Sequence, residues 1–435
     1  MALTGRTAAL AASGVFVVAL LPGWHGVLAV ALPLLAAVLY DLARAAPVRS
    51  LRLERSGAAS ARLGDRAEVH LTVTNPSGRL LRAKLRDAWP PSSWQPGTPY
   101  EASRHRLTVP PGERRRLTTV LAPTRRGDHQ SVRVTVRSHG PLGLAARQGS
   151  HAVPWTVRVL PPFTSRRHLP AKLSRLRELD GRTAVLARGE GTEFDSLRDY
   201  VPGDDVRSID WRATARQSTV AVRTWRPERD RHLLLVLDTG RTSAGRVGDV
   251  PRLDAAMDAA LLLTALASRA GDRVDLLAYD RAVRAAVRGR RAGDVLPAVV
   301  QALAPLRSEL IETDAAGMVT AAMAGAPRRS LVVLFTTLET APVELELLPV
   351  LPRLTARHPV IVAAVADPRI AEMSRSRGTP SAVYEAAAAA RHELERARTV
   401  RRLRDTGVTV VEAPPEDLPP ALADAYLALK MAGRL

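Results

Sequence analysis

The sequence predicts a multidomain protein: an N-terminal transmembrane helical hairpin, then a β-sandwich, then a doubly wound α/β domain. Three observations carry this reading. No Asp, Glu, Lys or Arg occurs between Thr7 and Tyr40. From about Val48 to Leu160, short runs alternate polar and apolar residues between turn clusters. After Arg231, fully apolar strands alternate with helical patterns. The implied segments are 1–47, 48–160, a connecting stretch 161–231, and 232–435. A chain of 435 residues exceeds one ordinary core, so several domains are expected.

The charge-free run is broken by Pro22-Gly23-Trp24-His25-Gly26, a turn with a tryptophan suited to a membrane interface. Helices are expected at about 7–21 and 27–40. Each is shorter than the ~20 residues a span normally takes, so local bilayer thinning or flanking residues must help. A signal peptide with Arg6 as its basic region is the competing reading. The second apolar run speaks against cleavage, and so does charge. Arg6 precedes the first run, Arg44, Arg49 and Arg52 follow the second, and the turn carries none, which puts both ends on the cytoplasmic side. The expectation is a multi-pass protein of the cell membrane, with two helices and cytoplasmic soluble domains.

In the β-rich region the alternating runs Glu68–Thr74, Arg115–Leu121 and Ser131–Ser138 lie between turns such as Pro110-Pro111-Gly112, the grammar of an antiparallel sandwich. Its histidines are scattered and lack metal-ligand spacing. Over the whole chain the net charge is +20, carried by 60 arginines and only three lysines. Such basicity favours anionic neighbours. The lack of cysteine excludes disulfides, thiolate metal sites and cysteine nucleophiles.

The α/β region opens with His232–Asp238, a continuous apolar run ending in an acid. In open α/β sheets the ligand crevice lies at the carboxyl ends of the strands, which points to Asp238-Thr239-Gly240-Arg241-Thr242-Ser243. An apolar strand ending in such a loop resembles a von Willebrand factor type A domain, where an Asp and two hydroxyls, with a later Thr and often an Asp, hold Mg²⁺. Hard oxygen ligands suit that ion. Asp238 and Thr242 fit the first and last loop positions, and Thr313 fits the later threonine. Gly240 replaces a hydroxyl, and Thr336-Thr337 stand where the second Asp is expected, with Ser243 or Glu339 as the residues able to compensate. The expectation is a crevice without a cofactor, with Mg²⁺ on Asp238, Thr242 and Thr313 as the alternative.

Ahead of that domain, the stretch from Arg188 to Trp225 is dense in Arg and Asp. Pro202-Gly203 fits the centre of a type II turn. Asp204 or Asp205 is placed to cap a short helix with Val206, Ile209 and Ala213 on one side. Trp211 is expected as a buried anchor, with Arg–Asp pairs fixing the segment against the α/β domain. Gly189-x-Gly191, Phe194, Leu197-Arg198-x-Tyr200, Gly203-Asp204, Arg207, Ile209-Asp210-Trp211 and Ala215-Arg216, with Pro141-Leu142-Gly143-Leu144 upstream, are similar to the domain-of-unknown-function 58 family. The resemblance implies a membrane-tethered type A domain protein, of a kind often encoded beside MoxR-type AAA+ ATPases and thought to act in protein-complex assembly or maturation. The signature residues Arg198, Tyr200, Gly203, Asp204, Arg207, Asp210, Trp211 and Arg216 then serve structure or present a charged surface to that partner.

For function, the first expectation is a non-enzymatic, membrane-anchored adaptor that binds a MoxR-type AAA+ ATPase. A hydrolase is the second class. The chain has no Gly-x-Ser-x-Gly elbow, His-Glu-x-x-His or phosphate-binding Walker loop, and no catalytic residue is assigned. Binding of nucleic acid or anionic lipid is the third class. The arginines are dispersed without interleaved aromatics, which disfavours nucleic acid.

Overall fold

The computed structural model describes residues 1–21, 23–97, 103–186, 193–202, 204–217, 219–226, 231–326 and 328–434. They form two compact units, Met1–Pro162 and Phe163–Leu435.

The first unit begins with helices Gly5–Leu20 and Trp24–Arg44. The first starts two residues ahead of its expected bound and ends one short of it, and the second runs past both of its bounds. Gly23 takes φ +98°, so the turn needs little chain and Trp24 already starts the second helix. The helices touch where Gly14 meets Val30, leaving no room for a Cβ. Trp24–Ser50 is long and apolar enough to cross a membrane, whereas Gly5–Leu20 is a shorter apolar helix.

The charged residues past Tyr40 do not end the second helix, because Asp41 is fully buried in its last turn. Its Oδ1 accepts the Leu142 amide at 2.8 Å. Its Oδ2 accepts the amides of Leu144 and Ala145 at 2.7 and 2.8 Å. The carbonyls of the same loop face the first helix: Thr4 Oγ1 donates to Gly143 O at 2.7 Å, and the Thr7 hydroxyl donates to Leu144 O. A Cβ on Gly140 would lie 2.2 Å from Asp41 Oδ1, so only glycine lets the loop close on the acid. The Pro141-Leu142-Gly143-Leu144 motif thus binds both helices at one place.

The rest of this unit is β-rich. A five-stranded sheet has the order Ala2–Leu3, Ala145–His151, Arg133–His139, Leu81–Ala88, Arg104–Val109. A three-stranded sheet pairs Arg52–Gly57, Ala67–Thr74 and Arg114–Leu121. The period-two pattern is real: Val69, Leu71 and Val73 are buried along one face of their strand. Leu71 and Val73 share a core with Leu81, Leu85, Val134 and Val136 of the larger sheet. A second three-stranded sheet joins Ser60–Arg62, Thr156–Leu160 and Gly127–Gln130.

The second unit holds a six-stranded sheet in the order Val283–Val287, Arg273–Tyr279, His232–Asp238, Leu331–Phe335, Val360–Val365, Thr409–Ala413. All pairs are parallel except Val283–Val287 on Arg273–Tyr279. Helix Arg252–Arg269 is buried along almost its whole length, which explains its all-round apolar sequence. Helix Ala315–Gly325, where no helix is expected from periodicity, starts at Asp314, whose side chain accepts the Gly317 amide.

Strand order reverses at His232–Asp238. The chain leaves it first towards Arg273–Tyr279 and later returns to its other side with Leu331–Phe335. That switch point, at Asp238, is where the ligand crevice of an open α/β sheet lies by rule.

The α/β body starts well before His232. Asp258 of the buried helix accepts Thr164 Oγ1 at 2.6 Å and Ser165 Oγ at 2.9 Å. Helix Leu169–Leu186 follows, and its Lys172 and Arg175 pair with Asp424 of the closing helix Leu418–Met431. Farther along the 161–231 stretch, Glu193–Asp199 pairs with Ala221–Arg226 as a β-hairpin.

Candidate functional site

At the switch point the strand His232–Asp238 delivers a buried carboxylate to the crevice floor. Asp238 Oδ1 accepts the Gly240 amide at 2.9 Å and Thr313 Oγ1 at 2.5 Å, and Oδ2 accepts Thr336 Oγ1 at 2.9 Å. Burial pushes this carboxyl above its usual range, and the nearby Asp280 adds to the rise. The three hydrogen bonds oppose it.

Asp238 and Thr313 therefore meet, as the sequence leads one to expect, but Thr242 stays apart, half-buried in the turn Arg241–Ala244. Neither candidate compensator reaches the acid. Ser243 Oγ donates to Gly240 O and to Ser308 Oγ, and Glu339 pairs with Arg252. Gly240 has a local reason: a Cβ there would lie 2.0 Å from Thr313 Oγ1, so glycine is what lets Thr313 bond Asp238 directly.

A type A metal site needs hydroxyl oxygens turned as ligands towards a shared cation. Here Gly240 and Thr336 stand where the second loop hydroxyl and the second acid are needed, so one ligand is lost and a carboxylate is replaced by a neutral hydroxyl. This donor set does not fit Mg²⁺. Among the described residues, no group of three His, Cys, Asp or Glu side chains is arranged to hold a metal ion.

Sequence reasoning did not single out Asp280, the second buried acid of the crevice. It follows the strand Arg273–Tyr279, accepts Thr239 Oγ1 and the Arg281 amide, and pairs with Arg284. The available signal was its place one residue beyond a buried strand, the same logic that finds Asp238. At the crevice rim Arg241 pairs with Glu312, and the neighbouring Leu310 is 79% exposed.

The signature residues gather in the hairpin instead. The amide of Asp204 donates to Val201 O at 3.0 Å. Gly203 itself lies outside the described residues, as do Gly189 and Gly191. Asp204 also accepts Arg198 at 2.5 Å, and this guanidinium holds the carboxyl below its usual range. Asp205 caps the 3-10 turn Val206–Ser208 by accepting the Arg207 amide.

Asp210 accepts the Arg212 and Ala213 amides and so starts helix Trp211–Gln217, while its other oxygen accepts Arg223 Nε at 2.8 Å. The single helix expected across Val206, Ile209 and Ala213 is thus two elements, because Asp210 caps between them and Ile209 bridges to Val222.

Two further expectations are corrected. Trp211 is no buried anchor: it is 67% exposed at the first position of its helix. The Arg–Asp pairs close within the hairpin rather than against the sheet, because each acid is already committed to a local turn or cap. Tyr200, Arg207 and Arg216 are exposed beside them.

One Ser–His–Asp arrangement lies at the opposite, amino end of the sheet. His232 Nδ1 is 2.7 Å from Ser330 Oγ, and its Nε2 is 3.0 Å from Asp275. Ser330 is only 2% exposed, and its hydroxyl donates to Arg328 O at 2.8 Å. A nucleophile so enclosed and already committed has no open face for a substrate.

Fold and site together define a doubly wound α/β domain with a strand-end acid crevice, preceded by an Arg–Asp hairpin. Residues 196–408 match the family model described as "Protein of unknown function DUF58". The uncharacterized protein Rv1480 of Mycobacterium tuberculosis is 29% identical over 197 residues, 45% of this chain and 61% of the relative. The match thus spans about three fifths of that relative's length. The uncharacterized protein YeaD of Bacillus subtilis is 27% identical over 120 residues, 27% of this chain and 29% of its own. Among solved structures, the CARDB domain of the PF1109 protein from Pyrococcus furiosus is 18% identical and covers 25% of this chain and 87% of that one, at a TM-score of 0.19.

Proposed function

We propose that this chain is a membrane-anchored, non-enzymatic adaptor. Its α/β domain is of the von Willebrand factor type A kind and binds a protein partner, a MoxR-type AAA+ ATPase, at the carboxyl ends of the strands, in protein-complex assembly or maturation. One observation carries the reading: the acid at the switch point is saturated by an amide and two hydroxyls, while the crevice rim offers exposed Leu310 beside the Arg241–Glu312 pair. An acid engaged in this way is not an activated nucleophile, and the exposed rim offers apolar and charged contact to a partner. The buried Ser330 hydroxyl gives the hydrolase class no better footing.

The membrane part of the proposal is a two-helix hairpin with both ends in the cytoplasm. Its support is the single loop, Gly140 to Ala145, that holds Thr4 and Thr7 at the start of one helix and Asp41 at the end of the other. Helix ends tied to one loop lie on one side of a bilayer.

The test is purification of the tagged full chain from native membranes in mild detergent. An AAA+ ATPase should co-purify and should be lost with Leu310→Asp, while the variant's thermal unfolding stays unchanged. Intact chain recovered without any ATPase overturns the proposal. A reporter fused after Leu435 that works only outside the cytoplasm overturns the topology.

A further inference from the structure

We propose that the tip of the signature hairpin docks on the anionic surface of the bilayer that anchors the same chain. The two strands pair up to Asp199 opposite Ala221, so residues 200–220 form the tip. Within it Val201, Val206 and Trp211 are 55%, 62% and 67% exposed, and Tyr200 and Val220 are also exposed. So much apolar and aromatic surface on about twenty residues asks for a cover.

The charges say what kind. Two of the tip's three carboxylates are neutralised by arginines at its base, Asp204 by Arg198 and Asp210 by Arg223, while Asp205 caps a turn through the Arg207 amide. Arg207, Arg212 and Arg216 are exposed and form no ion pair among the described residues. The tip therefore offers tryptophan, tyrosine and valine ringed by uncommitted guanidinium groups. That is the chemistry of an interfacial lipid contact, in which apolar side chains enter the headgroup layer and arginines meet its phosphates.

A protein cleft is the other conceivable cover. The bilayer is favoured because the apolar segment Trp24–Ser50 on the same chain keeps it at high effective concentration, so even a weak contact is populated. The inference rests on the anchoring proposed above, and it places in one element what the overall charge only suggests.

The full chain contains no cysteine, so Val206→Cys gives one labelling position. The chain carrying an environment-sensitive fluorophore there is reconstituted into phosphatidylcholine vesicles with or without phosphatidylglycerol. Quenching by nitroxide-bearing lipids is compared with quenching by aqueous iodide. With phosphatidylglycerol, lipid quenching should rise and iodide quenching fall, and both should reverse in high salt. Replacing Arg207, Arg212 and Arg216 by glutamine should lower the docking equilibrium on the order of 100-fold, since each arginine contributes roughly fivefold near an anionic surface. Trp211→Ala should weaken docking in low and high salt alike.

A label that iodide reaches freely in anionic vesicles overturns the inference. So does a label shielded from iodide without lipid quenching, which would assign the tip to a protein contact. Chain that washes off vesicles at alkaline pH overturns the anchoring itself, an outcome separate from the other two.

Discussion

Asp41 and Asp238 are both buried acids with three hydrogen bonds, yet they are held in different ways. Asp41 accepts three backbone amides from one loop. Asp238 accepts one amide and two threonine hydroxyls that come from separate loops. Backbone donors cannot turn away without unfolding the loop, whereas a hydroxyl leaves by rotating one side-chain bond. The first arrangement makes a joint. The second makes a floor whose bonds can be rearranged by side-chain rotation alone.

Removing the joint should have the largest effect. Asp41→Ala strands three amides, two of them buried, and should cost on the order of 3 kcal/mol, read as lost thermal stability of the detergent-solubilised chain. An unchanged melting point would mean that the loop does not depend on the acid. Gly140→Ala comes next, at about 2 kcal/mol, because the added carbon meets both the side chain and the backbone oxygen of Asp41.

The matching change in the crevice, Gly240→Ala, presses mainly on the Thr313 hydroxyl, which can swing aside. It should cost about 1 kcal/mol. Equal losses for the two glycine variants would erase the distinction between joint and crevice.

Asp238→Asn should have the smallest effect and the opposite sign at neutral pH. Burial raises the folded-state value of this carboxyl, so the fold favours its protonated form. Its contribution is greatest below the unfolded value of about 3.9 and is lost as pH rises through the raised folded value. The asparagine variant escapes that loss, and its advantage in melting temperature should grow between pH 4 and pH 7. A difference that stays flat with pH would show that burial does not govern this acid. Titration calorimetry of the full chain with Mg²⁺ should give no binding heat, and binding abolished by Asp238→Ala would reverse the reading of the donor set.

The α/β sheet was legible because its strands are buried on both faces and read as unbroken apolar runs. His232–Asp238 matches the expected bounds. Asp238 and Thr313 were legible through loop spacing. Thr336 could be seen only as a missing acid, since nothing in one sequence says that a threonine will turn towards a residue 98 positions away.

Asp41 looked like the end of an apolar run because its partners lie across a folded sheet. Trp211 misleads for a different reason. Tryptophan is buried on average, but a short helix that starts at a surface turn has too little neighbouring chain to cover it. The arginines and aspartates of the hairpin suggested a distant partner, while caps and turns satisfied them within a few residues.

The joint at Asp41 also has a temporal side. The amides that receive its carboxylate lie just over 100 residues downstream. At ribosomal speeds of about 5–20 residues per second, the acid waits roughly 5–20 s for them. For that interval the foot of the second helix carries an unmatched negative charge, and the two helices become fixed to the sheet only when the loop emerges. The order of synthesis thus makes the two helices the first part of the unit to be made, while their fastening waits for a loop far down the chain.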